Sequence, residues 1–113
     1  MVRVEIVTSL VLEIKKKFKK TEANKVLDLI ETTKDNPRKG KILGTVGGII
    51  IKELKYKNFR FYFITDGFKL KIVSEEELTD TLLRFVRMSD KKQQQKTIEE
   101  IKKILIEIGP QGF

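Results

Sequence analysis

The stretch that decides the fold is IIIKELKYKNFRFYFITDGFKLKIV, residues 49–73, where apolar side chains alternate with polar and cationic ones at strand spacing. It reads as strands over 49–56, 59–65 and 68–74. Asp66-Gly67 gives a two-residue hairpin signal, because a type I′ turn needs positive φ at both positions and Asp-Gly tolerates it. In that register Phe63 faces Leu70 and Phe61 faces Ile72, forming a core face. Arg60, Tyr62, Ile64, Lys69, Lys71 and Val73 fall on the other side. An amphipathic hairpin with solvated cations is the plain reading of any one such strand. An exposed tyrosine amid cations also suits nucleic acid, with a base stacked on Tyr62 and phosphates neutralised by arginine and lysine. Arginine adds bidentate phosphate contact and can stabilise charge that develops on a reacting phosphoryl group.

Upstream, VRVEIV alternates with Val2, Val4 and Ile6 on one face and Arg3 and Glu5 on the other, predicting a half-buried strand. Thr8 and Ser9 are the expected helix cap. Leu10, Ile14 and Phe18 recur at fourfold spacing through the basic run KKKFKK, residues 15–20. A second helix is predicted from Thr21, with Ala23, Val26, Leu27 and Ile30 on one stripe, and Asn36-Pro37 and Gly40 end it. The two helices read as an antiparallel hairpin. KILGTVGG, residues 41–48, reads as a glycine-punctuated loop without a phosphate-binding P-loop pattern.

Downstream, SEEELTD (74–80) reads as an acidic loop or short helical turn, and TLLRFVRMS (81–89) as a further strand of the sheet. Residues 91–108 read as a terminal helix with Ile98, Ile101, Leu105 and Ile108 on one face, and 109–113 as a tail. The expectation is one α+β domain over 1–113, with no repeat and no linker.

Composition narrows the chemistry. The chain has no cysteine and no histidine, which removes thiol nucleophiles, imidazole bases and the usual zinc ligand sets. Carboxylates show no EF-hand or two-metal spacing, so neither metal nor cofactor is expected. Twenty-four Lys and Arg against 16 Asp and Glu give a formal charge of +8, which attracts polyanions and puts nucleic acid first among partners. The same Lys/Glu/Ile-rich composition also suits a heat-adapted, well-solvated surface. No apolar run approaches the roughly 20 residues that span a bilayer, and Arg3 and Glu5 interrupt any signal-like start, so a cytoplasmic protein is expected.

The order of these pieces resembles the RelE/ParE toxin superfamily, and within it the HigB-like, phage-derived branch. The resemblance is carried by the DNPRKGKIL spacing of Asp35 to Leu43, by KELKYKNFRFYF from Lys52 to Phe63, and by the strand through Phe85 followed by a Lys/Gln/Thr run into EEIKKIL. It spans roughly residues 1–105. It implies a twisted, mainly antiparallel sheet of four to five strands, with the N-terminal helical hairpin on one face and a C-terminal helix. It further implies metal-independent cleavage of mRNA on the ribosome, by attack of a ribose 2′-OH on the adjacent phosphate, and a separate antitoxin chain as partner. Carried over by position, Arg60 is the transition-state and phosphate ligand, and Lys52 and Lys55 contact backbone phosphates. Strand alternation sets positions 52 and 55 on opposite sides, so a bulge is needed for both to face one site.

The C-terminal segment departs from that pattern. Where relatives carry an arginine and then a tyrosine or histidine for proton transfer, this chain offers DKKQQQKT, with Gln93 and Thr97 near those places. Arg87, Lys91 or Lys92 would replace the cation, and Tyr62 or a lysine of lowered pKa would move the proton. The Lys15–Lys20 run reads as a solvated helix face or an rRNA contact. The alternative class is a non-cleaving protein of the same fold, a nucleic-acid-binding or gyrase-directed module.

Overall fold

The computed structural model of the chain describes residues 2–36, 38–66 and 82–113. Its centre is the strand Phe59–Asp66, in the middle of the 49–73 stretch. Strands β1 (Arg3–Ile6), β2 (Lys41–Val46), β3 (Ile49–Tyr56), β4 (Phe59–Asp66) and β5 (Leu82–Asp90) form one sheet in the order β1-β5-β4-β3-β2. β1 runs parallel to β5, and the other neighbours are antiparallel.

Both edges of β4 are occupied. Phe63 pairs with Lys52 and Phe85, and Phe61 with Leu54 and Met88, so these strands take the places expected for Leu70 and Ile72. Segment 68–74, with Lys69 and Lys71, lies outside the described residues, as does the acidic segment 74–80. The hairpin that is described joins β3 to β4 through Lys57 and Asn58, and Lys57 takes φ +52 there without a glycine to ease it. The Phe63 and Phe85 rings stack at 4.5 Å. Phe61, Phe63 and Phe85 are fully buried, each contributing about 2 kcal/mol of hydrophobic stabilisation.

Residues 41–46 form a strand rather than the expected loop. β2 is an edge strand whose bulge, between Ile42 and Gly44, and whose Gly47-Gly48 turn disguise it in the sequence. Gly44 also gives the last helix room, since a Cβ there would stand 3.3 Å from the Lys102 side chain.

One face of the sheet is covered by α1 (Thr8–Lys17) and α2 (Lys20–Glu31), the predicted helical hairpin. Thr8 and Ser9 are its first helical residues, not its cap: the carbonyl of Val7 accepts from Leu10 N and Val11 N, with no capping side chain. Phe18, at the joint between the helices, packs edge-on against Phe59 at 4.9 Å and Tyr56 at 6.1 Å. Leu10, Ile14, Ala23, Val26 and Ile30 complete this side of the core.

The other face carries α3 (Gln94–Glu107), which contacts β5 and β2 and buries Ile98, Ile101 and Leu105. The sheet is therefore covered on both sides. Residues 109–113 are not a loose tail. Arg84 Nη1 donates to the Pro110 carbonyl at 2.8 Å, Gly112 fits so closely that a Cβ would stand 2.8 Å from Ile104, and the Phe113 ring lies 5.1 Å from the Arg87 guanidinium.

Candidate nucleic-acid interface

Register assigns the side chains to faces. Lys55, Glu53 and Ile51 on β3 stand beside Arg60, Tyr62 and Ile64 on β4, and Ser89 and Arg87 of β5 continue the row. This is the face under α3. Tyr62 is fully buried and its hydroxyl lies 2.7 Å from Ser89 Oγ, while burial pushes the phenol above its ordinary pKa. The expectation of an exposed stacking platform at Tyr62 is corrected: the ring is core. The upward shift also makes the phenolate, the form that would accept a proton, still scarcer at neutral pH.

Arg60 is 7% exposed. Its Nη1 donates to the carbonyls of Phe59 at 3.1 Å and Lys57 at 3.4 Å, which turns the guanidinium toward the β3–β4 turn. Its Nε stands 4.0 Å from Glu53 Oε1. The second oxygen of Glu53 accepts from Gln94 Nε2, in the first turn of α3, at 2.8 Å. Glu53 and Gln94 were not singled out by sequence. The available signal was Glu53 itself, an acid inside the strand IIIKELKY, on the same strand face as Lys55.

The remaining expected residues divide. Lys55 is exposed on the Arg60 side, and Lys91 and Lys92, also exposed, line a shallow depression with Asn58 and Asp90 at the same end of the sheet. Lys52 is on the opposite face, 2% exposed, with its ammonium 5.5 Å from the centre of the Phe63 ring. Burial, aided by the like charge of Arg38, lowers its pKa. No bulge in the β3–β4 register brings it round to Lys55. Arg87 lies beside Tyr62, but its Nε is held by Glu100 at 2.8 Å and its Nη1 by the Val86 carbonyl at 2.8 Å.

Folding also gathers cations that are far apart in sequence. Phe18 docks on Tyr56 and Phe59, which brings the α1–α2 joint, with Lys15, Lys16, Lys17, Lys19 and Lys20, to the end of the sheet that carries the β3–β4 turn. Phe59 pairs with Asp90, so the β5–α3 connection with Lys91 and Lys92 is at that end too. Lys57 and Tyr56 both bond Glu22 Oε2, at 2.6 and 2.9 Å, tying α2 to the turn. The Lys57 hydrogen bond, followed by that of Tyr56, holds the Glu22 carboxyl below its ordinary pKa. Three connections thus converge on one cationic end with the Arg60 guanidinium directed at it. Among the described residues no cluster of His, Cys, Asp and Glu suits a metal ion, and no helix is long and apolar enough to cross a membrane.

A helical hairpin on one face of a mainly antiparallel five-stranded sheet, with a C-terminal helix on the other, is a RelE-like α+β fold. A similar solved structure is the crystal structure of the archaeal RelE–RelB complex from Pyrococcus horikoshii OT3, with a TM-score of 0.59 and 12% sequence identity, covering 80% of this chain and 94% of that one. No family model matches the chain, and no curated protein matches it.

Proposed function

We propose that this chain is a RelE/HigB-like toxin of a type II toxin–antitoxin system, a metal-independent endoribonuclease that cuts mRNA on the ribosome and so halts translation in the cytoplasm. One observation carries the reading: on a RelE-like fold, the Arg60 guanidinium is directed at a lysine-ringed end of the sheet, with a carboxylate beside it. The lysines attract and seat the RNA backbone. Arg60 then meets the scissile phosphate and stabilises the charge that builds on its oxygens. The 2′-oxygen forms a bond to phosphorus as the bond from phosphorus to the 5′-oxygen breaks, leaving a cyclic phosphate and a 5′-hydroxyl. Glu53 takes the 2′-hydroxyl proton, and water or a lysine ammonium at the same end protonates the departing oxygen. Glu53 thereby fills the role for which the sequence offered no histidine. The partner is an antitoxin chain that neutralises the basic end, in keeping with the complex in which the similar fold occurs.

The burial of Arg60 and Tyr62 favours one second reading, a non-cleaving module that binds nucleic acid through its lysines alone. Primer extension on mRNA in a translating extract decides between them. Cuts at ribosome-occupied codons, lost in Arg60→Lys, are expected of the nuclease. An absence of cuts from folded wild-type protein overturns the nuclease reading and leaves the binding module.

A further inference from the structure

Arginine and a buried carboxylate ordinarily close to short, often bidentate hydrogen bonds of about 2.7–2.9 Å, because desolvation strengthens their attraction and leaves no water to compete. Arg60 and Glu53 do not. Both side chains are 9% exposed, yet Nε and Oε1 stand 4.0 Å apart. Each partner is drawn the other way: the guanidinium toward the carbonyls of Phe59 and Lys57, and the carboxylate toward Gln94, whose Nε2 holds Oε2 at 2.8 Å. The backbone just ahead of Gln94 is anchored at the start of α3, since Asp90 Oδ1 accepts from the Gln93 N–H at 2.9 Å and Thr97 Oγ1 donates to the Gln93 carbonyl at 3.0 Å. Tyr62, which pairs across the strands with Glu53, spends its hydroxyl on Ser89 and does not compete.

We propose that Gln94 is a positioning residue that holds the Glu53 carboxylate off Arg60, keeping the ion pair open so that the guanidinium is left for an incoming phosphate; its catalytic consequence rests on the nuclease reading above. A closed bidentate pair would spend the guanidinium on Glu53 and tie up the carboxylate that accepts the proton. The held-open pair leaves Arg60 Nε and Glu53 Oε1 uncommitted to each other, at the cost of a weaker internal contact.

The test uses the full chain with Gln94→Ala and with Gln94→Glu, which keeps the shape but replaces a donor with a carboxylate that repels Glu53. The Arg60 Nε–H signal in a 1H–15N spectrum, assigned by its loss in Arg60→Lys, reports the state of the pair. The expected result in both variants is a downfield shift and slower exchange with water as the pair closes. Single-turnover cleavage is expected to slow about 100-fold, the scale of an ångström-level misplacement of a reacting group. RNA affinity is expected to hold within about twofold, because lysines outside the pair provide it. A variant that is folded by thermal unfolding yet keeps the wild-type Nε–H signal overturns the proposal. A shifted signal with an unchanged cleavage rate overturns its catalytic half. If the wild type cuts no RNA, the nuclease reading has failed and the Nε–H signal alone decides whether Gln94 holds the pair open.

Discussion

The two faces of the sheet each bury a cation, and they manage it in opposite ways. Beneath the helical hairpin, Lys52 extends over the Phe63 ring, and burial lowers its pKa. Beneath α3, Arg60 is surrounded by acceptors: two backbone carbonyls and, further off, a carboxylate. Chemistry sets the difference. An ammonium can shed its proton when desolvation becomes too costly, whereas a guanidinium keeps its charge in any protein environment and must be supplied with partners. A lysine at position 60 would need no such surroundings. The polar assembly under α3 is therefore built around a permanent charge, and that is what singles this face out as the candidate site.

The largest test of that contrast is to remove the permanent charge. Arg60→Leu leaves Glu53 buried without its cation, and urea unfolding is expected to show a loss of about 3 kcal/mol, within the range for breaking a buried pair. Adding Glu53→Leu removes the stranded carboxylate, and most of the loss is expected to return. A double variant no more stable than Arg60→Leu would mean that the two residues do not act as a pair, and the comparison with Lys52 would lose its basis.

A smaller effect is expected one pair further along the same face. Tyr62→Phe keeps the buried ring but leaves the Ser89 hydroxyl without its partner, at a cost of about 1 kcal/mol in the same unfolding measurement. Because the ring is core, cleavage is expected to stay within about twofold of wild type, an effect too small for a lost proton-transfer group. A drop of about 100-fold or more in cleavage would return Tyr62 to the reaction.

Much of this architecture was legible from periodicity. β1, the helical hairpin, β3, β4, β5 and α3 all follow apolar spacing, although β3 and β4 are buried on both faces. β2 was not legible, since an edge strand interrupted by glycine and a bulge carries little alternation. The position of α3 is hidden for another reason: the alternation in FRFYFITD suggests core against solvent, although Tyr62 and Ile64 are bulky on the side it assigns to solvent. The Ile98, Ile101 and Leu105 stripe needed a surface, and with the helical hairpin already on one face only the Arg60 face was left. That single step would have buried Tyr62 in advance. The site divides along the same line. Arg60 and its lysines came from residue type and resemblance, whereas Glu53 and Gln94 are 41 residues apart and meet only once α3 has docked.

The last expected effect, no larger than that of Tyr62→Phe, belongs to Lys52 and carries a sign that sharpens the contrast. Its folded pKa lies below the 10.5 of the unfolded chain, so between those two values the unfolded state binds more protons. The contribution of Lys52 therefore grows as pH rises through the lowered pKa and is complete above 10.5; below the lowered pKa the full penalty of the buried ammonium applies. Lys52→Met keeps a long, flexible side chain over Phe63 without the charge, and at pH 7 it is expected to stabilise the fold by about 1 kcal/mol. The difference between variant and wild type should narrow as pH rises toward 10, measured by urea unfolding at several pH values. Subtracting one curve from the other cancels the opposite trend of buried Tyr62, whose raised pKa favours the folded state below its unfolded value near 10. A gap that stays constant with pH would mean that the ammonium keeps its proton in the folded state as fully as in the unfolded one. Lys52 would then be paired as Arg60 is, and the two faces would be solving the same problem in the same way.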